Sequence, residues 1–159
     1  MILEREGIVL EEWQWEALDS ELWVQLKRAA HEHTRSYVYF IQELEGQPVK
    51  IGVAADPLRR LASLQTGNPR TLTIDQLIVG GVSVEKRLHR LWGRKGACIR
   101  DEWFGNGYEG VILVLAKEIA RRQLAVLERG IGLDRLLPKC VDDVLSRHTE
   151  VLKELQGRA

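Results

Sequence analysis

The chain has 159 residues, 45% of them hydrophobic, enough to bury one core and too few for several large domains. Its 23 basic and 23 acidic side chains cancel, so bulk positive charge alone will not draw it to nucleic acid. No run reaches the roughly 18 apolar residues of a membrane span, and the N-terminus lacks the basic and apolar regions of a secretion signal, so a cytoplasmic protein with no membrane contact is expected.

The first expected element is helical, from Glu11 to Glu32. Asp19 or Ser20 starts its better segment, and Leu22, Trp23, Leu26 and Ala30 lie on its apolar side. Residues 1–34 carry 3 basic and 8 acidic side chains, net −5. Two strands follow, joined by a hairpin with Glu45-Gly46 near its tip. A tip near 44 to 45 sets Tyr39 opposite Lys50. Alternation then puts Val38, Phe40, Val49, Ile51 and Val53 on an apolar face and Tyr39, Lys50 and Gly52 together on the other. Opposed side chains start about 5 Å apart at Cβ, so a phenol and an ammonium can meet there.

Asp56-Pro57 reads as a helix start, an acceptor at the N-cap with proline at the first helical position, and Gly67 as its stop. Leu58, Leu61 and Leu64 form the buried stripe. Helical phase puts Arg60 at the stripe's edge and points Arg59 further out. Leu72 to Val79 is rich in β-formers and ends at Gly80-Gly81, giving a third strand. Another helix begins near Ser83 and buries Val84, Leu88, Leu91 and Trp92. Glu85 and His89, four apart, share one flank of it, and Lys86, Arg90 and Arg94 take the other. A helix runs from Gly110 to about Glu128, Arg129-Gly130-Ile131-Gly132 breaks it, and Pro138 opens a last helix to Leu155.

These elements predict an α/β (α+β) fold: a small three-stranded antiparallel sheet flanked by helices, with helical extensions at both ends. The expected organisation is an acidic helical extension over 1–34, a core over 35–110, and C-terminal helices over 111–159 packed on that core. Residues 35–103 carry 11 basic and 7 acidic side chains, net +4, and 104–159 carry 9 and 8, so the core is the basic part. Cys98 and Cys140 are too few for a zinc module and read as free thiols. His31 and His33 are two apart, a poor spacing for one helix face, and read as surface or capping residues.

Three islands carry more than fold. They are Tyr37-Val38-Tyr39-Phe40-Ile41; Val49-Lys50-Ile51-Gly52 with Arg59-Arg60-Leu61 behind it; and Glu85 to His89 followed by Glu102-Trp103-Phe104. Lys50 falls eleven residues after Tyr39, and Arg60 eight after Gly52. In order and spacing they resemble the GIY-YIG nucleases, in the compact branch with VYFI, VKIG, LQTG and EWF motifs. The resemblance implies a GIY-YIG-like nuclease core over 35–110 and a DNA endonuclease dependent on Mg²⁺, with Mn²⁺ as a substitute.

It also implies roles. Tyr39 would be the base for water. Phenols titrate near about 10, so a cation such as Lys50 would have to favour the phenolate. Arg60 would hold the phosphate through its planar fork, Glu85 would bind the metal, and His89 would position Tyr39 or relay its proton. Arg59, Lys86 and Arg90 would contact the DNA backbone. The chain departs from many members in having Lys50 in place of a tyrosine and Leu64 in place of a histidine, and Asn106 is a weak match to a late asparagine. Trp103 and Phe104 read as packing residues and Glu102 as a salt-bridge partner. The alternative is a nucleic-acid-binding or protein-interaction module that keeps the fold without efficient cleavage. Trp13, Trp15, Leu22 and Trp23 offer a surface for a homodimer or a protein partner, or they pack on the core.

Overall fold

The computed structural model describes residues 2–5, 8–12, 21–32, 36–43 and 46–129. The helix expected after Pro138 lies outside them, as do Trp13, Trp15, His33 and Cys140. Strands β1 (Ile2–Arg5) and β2 (Ile8–Glu11) pair antiparallel in a small sheet of their own. Helix was expected to begin at the last residue of β2, and no strand was expected before it. The β-branched pair Ile8-Val9 favours the extended chain there. Helix α1 (Glu21–His31) is the part of the expected helix that the structure shows.

The core follows as β3 (Tyr37–Gln42), β4 (Val49–Ala54), α2 (Pro57–Thr66), β5 (Thr73–Val79), α3 (Val82–Arg94), β6 (Cys98–Arg100), β7 (Trp103–Phe104) and α4 (Glu109–Arg129). Helix α2 forms as its caps require. Asp56 accepts the Arg59 N–H at 3.0 Å, Pro57 sits in the first turn and Gly67 ends the helix. The main sheet has five antiparallel strands in the order β5-β3-β4-β7-β6, which corrects the expected three. The two extra strands have three and two residues, too short for alternation to show as a pattern.

Tyr39 pairs with Gly52, and Lys50 with Ile41, so the β3–β4 register lies two residues from the expected one. A slip of two leaves every side chain on its expected face. The turn sets the register. Gln42 donates from Nε2 to the Gln47 carbonyl at 2.7 Å, and Gly46 adopts a φ of 81°, which moves the centre of the hairpin one residue along the chain.

Both faces of this hairpin are buried. Val38, Phe40, Val49 and Ile51 pack with Leu88 and Trp92 of α3, Ile112 and Ile119 of α4, and Leu22 and Leu26 of α1. On the other face Tyr37, Tyr39 and Ile41 join Ile74, Leu77 and Val79 of β5, with Leu58, Leu61 and Leu64 of α2 packed against them. A fully buried leucine such as Leu26, Leu77 or Leu88 stabilises the fold by about 1.5–3 kcal/mol, and the half-buried leucines of α2 contribute less. Leu22 and Trp23 belong to this internal packing, and the Arg122 guanidinium lies 5.6 Å from the centre of the Trp23 ring.

At its Val79 end the β5 edge of the sheet is capped by a side chain. Gln123 of α4 accepts the Val79 N–H at 2.7 Å and donates to the Val79 carbonyl at 2.8 Å and to the Leu26 carbonyl of α1 at 3.0 Å. Its carboxamide thus supplies what another strand would. Among the described residues no helix is long and apolar enough to cross a membrane.

Candidate functional site at the open edge of β4

Strand β7 covers only the first part of β4. Val49 pairs with Phe104 and Lys50 with Trp103, and the Ile51 N–H donates to the Glu102 carbonyl at 3.0 Å. The Ile51 carbonyl is taken by Nε2 of His89, 2.9 Å away. A carbonyl only accepts, so this nitrogen carries the proton. The His89 ring also lies against Phe104, with centroids 5.1 Å apart. A helix residue therefore meets the sheet where its short strand runs out.

Three more charged groups gather at this point. The Lys50 side chain is 14% exposed, and its ammonium sits 2.8 Å from Oε2 of Glu102, whose side chain is 40% exposed. It also lies 5.5 Å from the centre of the Trp103 ring. Glu85, one helical turn before His89, places Oε1 3.8 Å from that residue's Nε2. Burial pushes the Glu85 carboxyl above the usual carboxylate range. His89 opposes that shift, Glu102 adds to it, and Lys50 and Lys86 oppose it. Residues from β4, from α3 and from the turn before β7 thus act on one another's charge.

The remaining expected site residues surround this group. Tyr39 is 2% exposed and shares a face of the hairpin with Lys50. Its ring and hydroxyl lie over Gly52, where a β-carbon would collide with them. Arg59 and Arg60 are both exposed on α2, and Lys86 and Arg90 are exposed on α3. Neither Tyr39 nor Arg60 is hydrogen-bonded or paired with Lys50, Glu85, His89 or Glu102. His89 was expected to position Tyr39 or relay its proton, and the structure places its Nε2 on the Ile51 carbonyl.

Other motif residues hold the frame. Glu102 is the salt-bridge partner expected of it, and Phe104 is buried. Asn106 has a φ of 56° and donates to the Gly96 carbonyl at 2.9 Å, which makes it a turn residue. Gln65, in the LQTG motif, donates to the carbonyls of Asn68 and Arg70 and accepts the Leu72 N–H at 2.7 Å, so it shapes the loop that leads into β5. The sequence reading missed Gln65 and Gln123 as organisers. Gln65 had a signal in its motif, whereas Gln123 stands in a helix with nothing local to mark it.

This is an α+β domain whose sheet edge carries a partly buried carboxylate, a held ammonium and an oriented imidazole, with exposed cationic side chains on the two adjoining helices. A family model described as the T5orf172 domain matches residues 36–120, which run from just before β3 into α4, and the chain belongs to that family. This membership points to a nuclease or DNA-binding role. No curated protein and no solved structure matches the chain significantly.

Proposed function

We propose that this protein is a Mg²⁺-dependent DNA endonuclease that hydrolyses phosphodiester bonds by a GIY-YIG-type mechanism. The observation that carries the reading is the meeting of Lys50, Glu85, His89 and Glu102 at the open edge of β4, inside the matched domain. Hydrolysis needs a base for water, stabilisation of charge on phosphorus and help for the departing oxygen. Tyr39 serves as the base, with Lys50 as the cation on the same face of the hairpin. Arg60 holds the phosphate, and the exposed Arg59, Lys86 and Arg90 bind the DNA backbone.

Glu85 is the residue that would hold the metal. Among the described residues no three His, Cys, Asp or Glu side chains are grouped to cage an ion. Mg²⁺ does not require such a cage, since one or two carboxylates suffice when water and phosphate oxygens complete its shell. A carboxylate held partly out of water beside other charges suits that demand. When bound, the ion supplies positive charge for the phosphate and the leaving oxygen.

One observation favours a second reading, a DNA-binding module that keeps the fold without efficient cleavage. Tyr39 is almost fully buried and makes no hydrogen bond with the charged cluster. Incubating supercoiled plasmid with the protein and Mg²⁺, Mn²⁺ or EDTA separates the two. Metal-dependent nicked product is expected for the nuclease, whereas retained DNA binding with no product in any metal would establish the module.

A further inference from the structure

We infer that Glu102 is a positioning residue, which fixes the Lys50 ammonium in the site so that its charge is delivered at one place. This rests on the proposed phosphodiester hydrolysis. Lysine is a compact charge on a flexible stem, and left alone it samples many rotamers. Three contacts remove that freedom here. The Glu102 carboxylate takes the ammonium at 2.8 Å, the Trp103 ring lies beneath it at 5.5 Å, and the stem leaves a strand residue that pairs with Trp103.

The carboxylate is itself anchored. The Glu102 carbonyl accepts the Ile51 N–H at 3.0 Å, so its backbone is pinned to the strand that carries Lys50. Between Lys50 and Glu102 lie 52 residues of chain, and the short β7 pairing brings them together.

The test is a double-mutant cycle of Glu102→Gln and Lys50→Met, read by steady-state nicking and by DNA affinity, with melting temperatures confirming the fold. Alone, Glu102→Gln should lower kcat by about tenfold and leave KM within about twofold, because a displaced group loses its use in the transition state more than in binding. In the Lys50→Met background the same change should do nothing further, since a residue acting only through Lys50 has nothing left to act on. An equal loss in both backgrounds, or none in either, overturns the proposal. So does a fall in KM, which would mean that the carboxylate competes with the substrate phosphate.

The order of the Lys50 side chain, followed by NMR relaxation of its ε-methylene, needs no activity. It should fall in Glu102→Gln as the stem regains rotamer freedom, and unchanged order overturns the proposal even if the wild-type protein cleaves nothing. Absent cleavage with lowered order in the variant would refute the nuclease reading and leave the positioning of Lys50 intact.

Discussion

Tyr39 and Gly52 constrain each other across β3 and β4, because the phenol occupies the space a side chain at position 52 would need. Gly52→Ala should therefore push the ring aside. Overpacking of this kind costs about 1–3 kcal/mol, to be read as a lower denaturation midpoint, and cleavage should fall with it. An alanine variant with unchanged stability would show that Tyr39 yields at no cost. Tyr39→Phe removes only the hydroxyl and should abolish cleavage while the fold survives, and full activity in it would exclude Tyr39 as the base. Glu85 offers a sharper separation of fold from chemistry. Its carboxyl is raised by burial, so the folded chain holds that proton more tightly than the unfolded chain. The associated stability is present below the ordinary carboxylate pKa and is lost as pH rises through the folded value. At neutral pH the buried charge is thus a cost to the fold, and Glu85→Ala should abolish metal-dependent nicking without lowering the melting temperature. Lost nicking accompanied by a collapsed melting temperature would assign Glu85 to structure instead.

Among the elements, α2 was legible in its start, its stop and its inward face, because an N-cap, a proline and a leucine stripe are local instructions, although the expected buried stripe of Leu58, Leu61 and Leu64 is only half-buried and Pro57 is the buried residue. Its two arginines are exposed alike, and only helical phase distinguishes them. Arg60→Ala should lower turnover strongly, whereas Arg59→Ala should mainly weaken binding, and equal losses of turnover would show that the phase does not select one of them. The hairpin was legible in its faces and not in its register, because the turn depends on a contact between Gln42 and Gln47 that alternation does not encode. Strands β6 and β7 escaped the reading because neither is long enough to have a period. Helix α4 holds a charge the sequence did not mark. Glu118 is 3% exposed, and although burial alone would raise its carboxyl, hydrogen bonds from Arg121 and Arg122 outweigh burial and hold it below the usual range. The folded state therefore binds that proton less tightly than the unfolded state. Its stabilisation is complete above the unfolded carboxylate pKa and is lost as pH falls through the folded one. Glu118→Gln should lower the melting temperature at pH 7, with the difference shrinking below about pH 4.5. A difference that stays constant with pH would place the effect in packing rather than charge.

Across the whole molecule, Lys50, Glu85 and His89, which stand far apart in the sequence and in motif order, converge at one sheet edge, whereas Tyr39 and Arg60 are not bonded to them. What the sequence left open was how the phenol and the imidazole are engaged, since both depend on burial and on which backbone groups the short strands leave bare. The core's modest excess of positive charge sets the expected scale of DNA binding. A few phosphate contacts give a shallow dependence on salt, and Lys86→Ala and Arg90→Ala should each reduce the slope of log K against log salt by about 0.9. Unchanged slopes in both variants would move the DNA to another face of the protein.

The carboxamide of Gln123 ties the sheet to synthesis as well as to stability. Val79 emerges from the ribosome 44 residues ahead of the side chain that will cover its backbone groups. At about 5–20 residues per second, the interval is on the order of several seconds. For that time β5 is a strand with a bare edge, able to pair with any neighbouring chain that offers one. Docking of α4 covers the Val79 end of that edge, so the last helix of the described fold narrows the opening for misassembly. Gln123→Leu should lengthen that vulnerable period, to be seen as more aggregated protein at high expression rates than at low ones.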